Sequence, residues 1–110
     1  MKNYIQPGET VEVTAPAALS SGDGVLVGML FGVAQTDAAN AAQVQIVRRG
    51  VFTLPKVSAQ AWTQGAKIYW DDTAKLCTTV ATANTVIGAA VLAAANPSAT
   101  GTVLLDGTVR

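Results

Sequence analysis

Lys67-Ile68-Tyr69-Trp70, Asp71-Asp72-Thr73-Ala74 and Lys75-Leu76-Cys77-Thr78-Thr79 follow one another without a break. They read as strand, turn and strand. Two aromatics beside a β-branched residue favour the extended chain, and aspartate favours the turn because its carboxylate can accept hydrogen bonds from nearby backbone N–H groups. Outward from this hairpin, short β-rich segments alternate with turn residues at the spacing of roughly 8 to 12 residues that marks a sandwich or barrel.

On the N-terminal side, Gly50-Val51-Phe52-Thr53-Leu54-Pro55 is a strand candidate whose closing Pro55, lacking an N–H, suits a strand end or an exposed edge. Gln43 to Val47 alternates with Val44 and Ile46 inward, and Arg48, Arg49 and Gly50 close that segment. Thr10 to Thr14 alternates too, placing Val11 and Val13 on one face. Val25 to Val27 and Leu30 to Val33 read as two strands or one long bent strand. Gly28 and Gly32 mark a turn, a bulge or a close backbone approach. Both faces of this region read as buried, which places it near the centre of the core.

Ser20-Ser21-Gly22-Asp23-Gly24 is a turn cluster, Asp37 to Ala42 a loop too short for a stable helix, and Ser58 to Gln64 a polar connection with a helical turn around Trp62. On the C-terminal side come Val86 to Leu92, the loop Ala95 to Ser98, Thr102 to Leu105, and Asp106-Gly107 turning into Thr108-Val109. The expectation is an all-β domain, a compact barrel-like or sandwich fold of about eight short strands with little helix. Phe31, Phe52, Trp62, Tyr69 and Trp70 are assigned to its core.

Composition narrows the chemistry. The 110 residues fit one domain, since a domain typically takes about 100 to 200. Seven Lys plus Arg balance seven Asp plus Glu, so net charge draws the surface to neither phosphate backbones nor anionic lipid. There is no His, which removes the commonest general base and the commonest metal ligand, and makes a Ser-His-Asp triad impossible. One Cys can form neither an intramolecular disulfide nor a thiolate metal site. The longest apolar run, Val25 to Ala34, is ten residues, about half of a membrane-crossing helix. No export signal is visible in Met1 to Thr10, so synthesis in the cytoplasm is expected.

Motif after motif fails on spacing. Gly22-Asp23-Gly24 lacks the third glycine of a dinucleotide fingerprint, because position 27 is Val, and no Gly-Lys pair exists for a P-loop. Asp71-Asp72 could bind calcium or share a proton, but a hairpin turn accounts for the pair more simply. Ser–Lys nucleophile chemistry stays formally open, although no spacing argues for it. Cys77 reads as a small buried hydrophobe. Arg48-Arg49 with Trp62, Tyr69 and Trp70 could suggest single-strand nucleic-acid binding, yet neighbouring strand residues point to opposite faces, so at most one Arg joins any surface.

The order of the segments resembles the small capsid cement, or decoration, proteins of tailed bacteriophages. The likeness is carried by Tyr4-Ile5-Gln6-Pro7-Gly8 leading to Val11 and Val13, by Ser21 to Gly28, Leu30 to Ala34, Gly50 to Lys56, Gly65 to Asp71 and Ile87 to Ala90. Each piece alone is a strand beside a turn; the specificity lies in the ordered set. Some members have carried a recombinase label, which the missing P-loop argues against here.

The resemblance implies a β-barrel-like fold and a non-enzymatic role without cofactors. In that role many copies, commonly as trimers, bind the outside of an assembled head and clamp neighbouring major capsid subunits. It implies no nucleic-acid, membrane or small-molecule partner. Residues 1–9 are then expected to form an extended arm and 10–110 a single domain. Tyr4, Ile5, Gln6 and Pro7 are the candidate contacts with capsid or protomer, the alternative being an ordinary frayed terminus. Other readings are a different head or tail component, such as a tube or connector subunit, and a protein of phage DNA metabolism.

Overall fold

The computed structural model describes residues 10–107. Nine strands follow in order: β1 (Thr10–Thr14), β2 (Gly24–Val27), β3 (Leu30–Ala34), β4 (Gln43–Val47), β5 (Arg49–Pro55), β6 (Lys67–Asp71), β7 (Leu76–Thr78), β8 (Thr85–Ala90) and β9 (Thr100–Asp106). No helix occurs among the described residues. The strands form two antiparallel sheets, a four-stranded one ordered β1-β4-β3-β2 and a five-stranded one ordered β5-β9-β8-β6-β7. The second curls into a half-barrel. Its far edge returns to the chain just beyond β5 through a parallel bridge between Lys56 and Cys77, with the Val57 N–H donating to the Cys77 carbonyl at 3.0 Å.

The 67–79 hairpin forms as its residue types dictate. Ile68 and Trp70 point into the barrel and are buried, while Lys67 on the other face is exposed. In the turn, Asp71 Oδ1 accepts the Thr73 and Ala74 N–H groups at 3.0 and 3.2 Å. Asp72 Oδ1 accepts the Trp70 indole N–H at 3.1 Å and the Lys75 ammonium at 2.7 Å. The expected turn role of the two acids therefore holds. The alternation of β1 holds as well: Val11 and Val13 pack inward, and Glu12 and Thr14 accept side-chain hydrogen bonds from Gln45 and Gln43 on β4.

Two clusters of apolar side chains hold the sheets. The larger fills the half-barrel with Leu54, Trp62, Ile68, Trp70, Val103 and Leu105 among others; the smaller lies against the four-stranded sheet around Val13, Val25, Val44 and Ile46. The β2–β3 hairpin stands between them. Leu26, Phe31 and Val33 face the barrel, whereas Val25, Val27, Leu30 and Ala34 face the smaller cluster. Both faces of this segment are packed, as its sequence implies, but β2 is an edge strand and not the middle of a sheet. Gly28, at φ 59°, makes the two-residue turn; at Gly32 a Cβ would sit 2.9 Å from the Val47 carbonyl oxygen, so a close approach accounts for the second glycine.

Three expectations need correction. No helical turn surrounds Trp62; its backbone exchanges hydrogen bonds of 2.9 and 3.0 Å with Ala94, a partner too distant in sequence for local patterning to reveal. Arg49 and Gly50 do not close the preceding segment but open β5, leaving Arg48 as the single residue between β4 and β5. Nor are all five core aromatics equally buried: Trp62 and Trp70 are inside, while Phe31, Phe52 and Tyr69 are half-buried.

Candidate functional site

The expected contact residues Tyr4, Ile5, Gln6 and Pro7 lie outside the described residues, as do Thr108 and Val109. What the described residues settle is which chemistry their side chains can support. No group of three or more metal-ligating side chains occurs among them, and the adjacent acids Asp71 and Asp72 are spent on the turn, on Trp70 and on Lys75.

Trp62 and Trp70 do not join Arg48 and Arg49 in a nucleic-acid platform. Trp62 and Trp70 face the barrel interior, and Trp70 packs against Phe31 with ring centroids 5.0 Å apart. The Arg48 guanidinium donates to the Gly107 carbonyl, which ties the β4–β5 junction to the end of β9. Stacking needs an open ring face. These two indoles have none to offer.

Cys77 and Lys56 are both buried. Burial pushes the Cys77 thiol up to about 12, so it stays protonated at neutral pH and is a poor nucleophile. The ammonium of Lys56, a residue only 2% exposed, donates to the carbonyls of Val57 at 2.9 Å, of Ser98 at 3.1 Å and of Gln60. It also lies 5.6 Å from the centroid of the Trp62 ring. All three of its hydrogens can be used on carbonyls, and the serine it touches offers a backbone oxygen, not a hydroxyl. Ser98 Oγ donates instead to the Thr100 carbonyl. Lys56 thus fastens the loops after β5 and before β9, and this geometry provides no Ser–Lys pair. Nothing local in Pro55-Lys56-Val57 predicts it, because lysine is almost never fully buried.

The surface has two features of its own. A cleft of about 300 Å³ opens where Pro16, Leu19, Leu26 and Pro55 surround Trp70, with Asp23 and Lys75 on its lining. On the outer face of the half-barrel, Val51 of β5 and Leu104 of β9 are direct cross-strand partners and stay 56% and 43% exposed. Sequence reasoning missed this pair, although a signal existed: Val103-Leu104-Leu105 puts three apolar residues in succession in one strand, so the middle one must point outward.

Nine strands closed on two apolar clusters, with a lysine-tied loop cluster at their end, make an all-β domain whose described side chains are arranged for packing. Residues 5–105 match the family model described as phage cement protein, and the chain belongs to that family. No curated protein and no solved structure matches it. Membership gives the protein a capsid cement role and, with it, a place on the phage capsid.

Proposed function

We propose that this protein binds the outer surface of an assembled tailed-phage head, as a trimer, and clamps neighbouring major capsid subunits without catalysing a reaction. The observation that carries the reading is the family match over residues 5–105, nearly the whole chain. The balanced charge supports it, since a protein that covers another protein gains from not attracting stray nucleic acid. A single small protomer offers limited contact area. A trimer engaging three capsid subunits gains avidity, because each later contact is effectively intramolecular. Preference for the expanded shell over the unexpanded one stabilises it by mass action.

In this reading the protein is made in the host cytoplasm, resides on the virion exterior and uses no cofactor, membrane or small-molecule partner. Residues 1–9 act as an arm on the domain, with Tyr4 and Ile5 as apolar anchors and Gln6 and Pro7 favouring an extended path suited to pairing with a neighbouring sheet edge. The test is to mix purified protein with matching heads stripped of decoration, and to measure co-sedimentation and heat resistance. Association with a gain in heat resistance is expected; no association at any salt concentration would overturn the role. Deleting residues 2–8 tests the arm separately. Occupancy at limiting protein should fall, and unchanged occupancy would remove the arm from the interface.

A further inference from the structure

β2 is an edge strand, and the cleft beside Trp70 runs along its open side, where Asp23, Gly24, Val25 and Leu26 follow one another on the lining. The two-residue turn after Val27 makes Val27 and Leu30 a hydrogen-bonded pair, and such pairs recur at every second residue of an antiparallel ladder. The same phase holds at the other end, where the Ala34 N–H donates to the Asp23 carbonyl at 2.8 Å. Asp23, Val25 and Val27 therefore turn their carbonyls towards β3, while Gly24 and Leu26 turn their main chain outward along the cleft. Among the described residues, no backbone hydrogen bond outside the ladder reaches Gly24 or Leu26. Two N–H and two carbonyl groups are thus presented in the register of a further strand.

Pro16, Leu19, Pro55 and Trp70 give this edge apolar walls. The volume of about 300 Å³ lies at the bottom of the range of about 300–1,000 Å³ that small-molecule sites occupy, so it suits a side chain better than a cofactor. The charges on the lining are already engaged. Asp23 Oδ2 accepts the Ser20 N–H at 2.9 Å, and Lys75 holds Asp72 at 2.7 Å. What fits is an uncharged extended segment with an apolar side chain, and the chain itself supplies one: Asn3-Tyr4-Ile5-Gln6-Pro7-Gly8 carries no charge and leads towards β1. β1 lies at the opposite edge of the same sheet. The row Thr10, Val47, Val33, Gly24 crosses three strand spacings, or about 14 Å. To reach β2 of its own copy the segment must double back at Thr10 and spend about four residues, at about 3.3–3.6 Å each, on the crossing. A segment that continues β1 outward keeps all of Tyr4–Pro7 for a neighbouring copy.

We propose that Tyr4–Pro7 of one copy pair with the β2 edge of the next copy, with Ile5 entering the cleft beside Trp70. The inference rests on the reading of the protein as a trimer with an N-terminal arm, and it names what the arm binds. The main chain of Gly24 and Leu26 supplies the hydrogen bonds, and the apolar walls select the side chain. Donor and acceptor are different surfaces at opposite edges of one sheet, so the contact is head-to-tail. A rotation of one third of a turn at each contact closes three copies into a ring.

The experiment combines Ile5→Cys with Ala17→Cys, a position on the cleft lining, in the full chain, whose own Cys77 is buried. The protein is oxidised in solution without heads, and its covalent mass is read on a denaturing gel. Three linked chains are expected, whereas either single variant stops at two. A link within one chain would overturn the proposal and seat the arm on its own copy; no link beyond that of the single variants would overturn it outright. Ala17→Trp gives a second reading, because it fills the cleft from an exposed loop position. It should keep the wild-type melting behaviour yet weaken self-association, measured by light scattering, by about tenfold or more. Should the double variant fail to fold, Ala17→Trp decides alone. A monomeric wild-type chain, or a folded Ala17→Trp with unchanged mass, would overturn the proposal. Binding of the wild-type chain to stripped heads is scored separately, so a failed cement role and a failed arm contact give different results.

Discussion

The indole of Trp62 covers Gly101 so closely that a Cβ on residue 101 would sit 2.3 Å from its Cζ3. Gly101 pairs with Leu54 inside the barrel wall, so the ring has no room to retreat without disturbing the cluster around Leu54 and Val103. Gly101→Ala should therefore cost about 1–3 kcal/mol, the usual range for overpacking a close-fitted core. Thermal unfolding followed by circular dichroism reads this as a drop of several degrees. An unchanged midpoint would mean that the ring has slack which the geometry does not show.

Removing the ammonium at position 56 takes a donor from the carbonyls of Val57, Gln60 and Ser98, and of these Val57 keeps the Gln60 N–H at 3.2 Å. Lys56→Met keeps an unbranched stem out to Cε, so the loss reports the ammonium, through its hydrogen bonds and its place 5.6 Å from the Trp62 ring. With a penalty of about 1–3 kcal/mol for each buried group left unsatisfied, the carbonyls of Gln60 and Ser98 should together cost about 2 kcal/mol or more. The guanidinium-chloride midpoint is the measurement. A midpoint equal to wild type would show that these loops do not depend on the lysine.

At Asp72, partial burial pushes the carboxyl upward, but hydrogen bonds from Lys75 and Trp70 and the Lys75 charge outweigh it and hold the group below its ordinary 3.8. A carboxylate lowered in the folded state adds stability above its unfolded value and loses it as pH falls through the folded value. The contribution is thus present at neutral pH and disappears in acid below about 3.8. Because the side chain is 46% exposed, solvent screening keeps it to less than about 1 kcal/mol. Asp72→Asn should lower stability slightly at pH 7 and leave it nearly unchanged in strong acid. A larger loss in acid than at neutrality would contradict the assignment.

Cys77 offers a probe that needs no mutation. With its thiol pushed up to about 12 by burial, the native chain should react very slowly with a disulfide reagent at neutral pH, and rapidly once unfolded by denaturant. The sign in alkali follows from the same shift. The neutral thiol favours the folded state below its ordinary 9.0, and this stability is lost as pH rises towards about 12. Rapid native labelling would mean that the barrel opens readily at the β6–β7 hairpin.

Much of the framework was legible because local chemistry and tertiary demand agree. Ile68, Trp70, Val44 and Ile46 alternate with polar neighbours, and all four are buried. Asp71 caps its own turn. What could not be read was set by partners far along the chain. Trp62 looks like part of a polar connection until Ala94 pairs with it, and Lys56 looks like a surface cation until Ser98 comes within reach, 42 positions away. The outer face was legible in principle from Val103-Leu104-Leu105, but only register shows that Val51 and Ala89 stand beside Leu104.

The β2–β3 hairpin is shared property. Because Phe31 and Val33 belong to one packed cluster and Val25 and Ala34 to the other, neither cluster can loosen without stripping one side of the same two strands. The two sheets should consequently melt in a single transition, which calorimetry checks by agreement of the calorimetric and van't Hoff enthalpies. In a phage cement protein such a hairpin works like the web of an I-beam, passing load from one flange to the other so that strain at one sheet is carried by the whole domain.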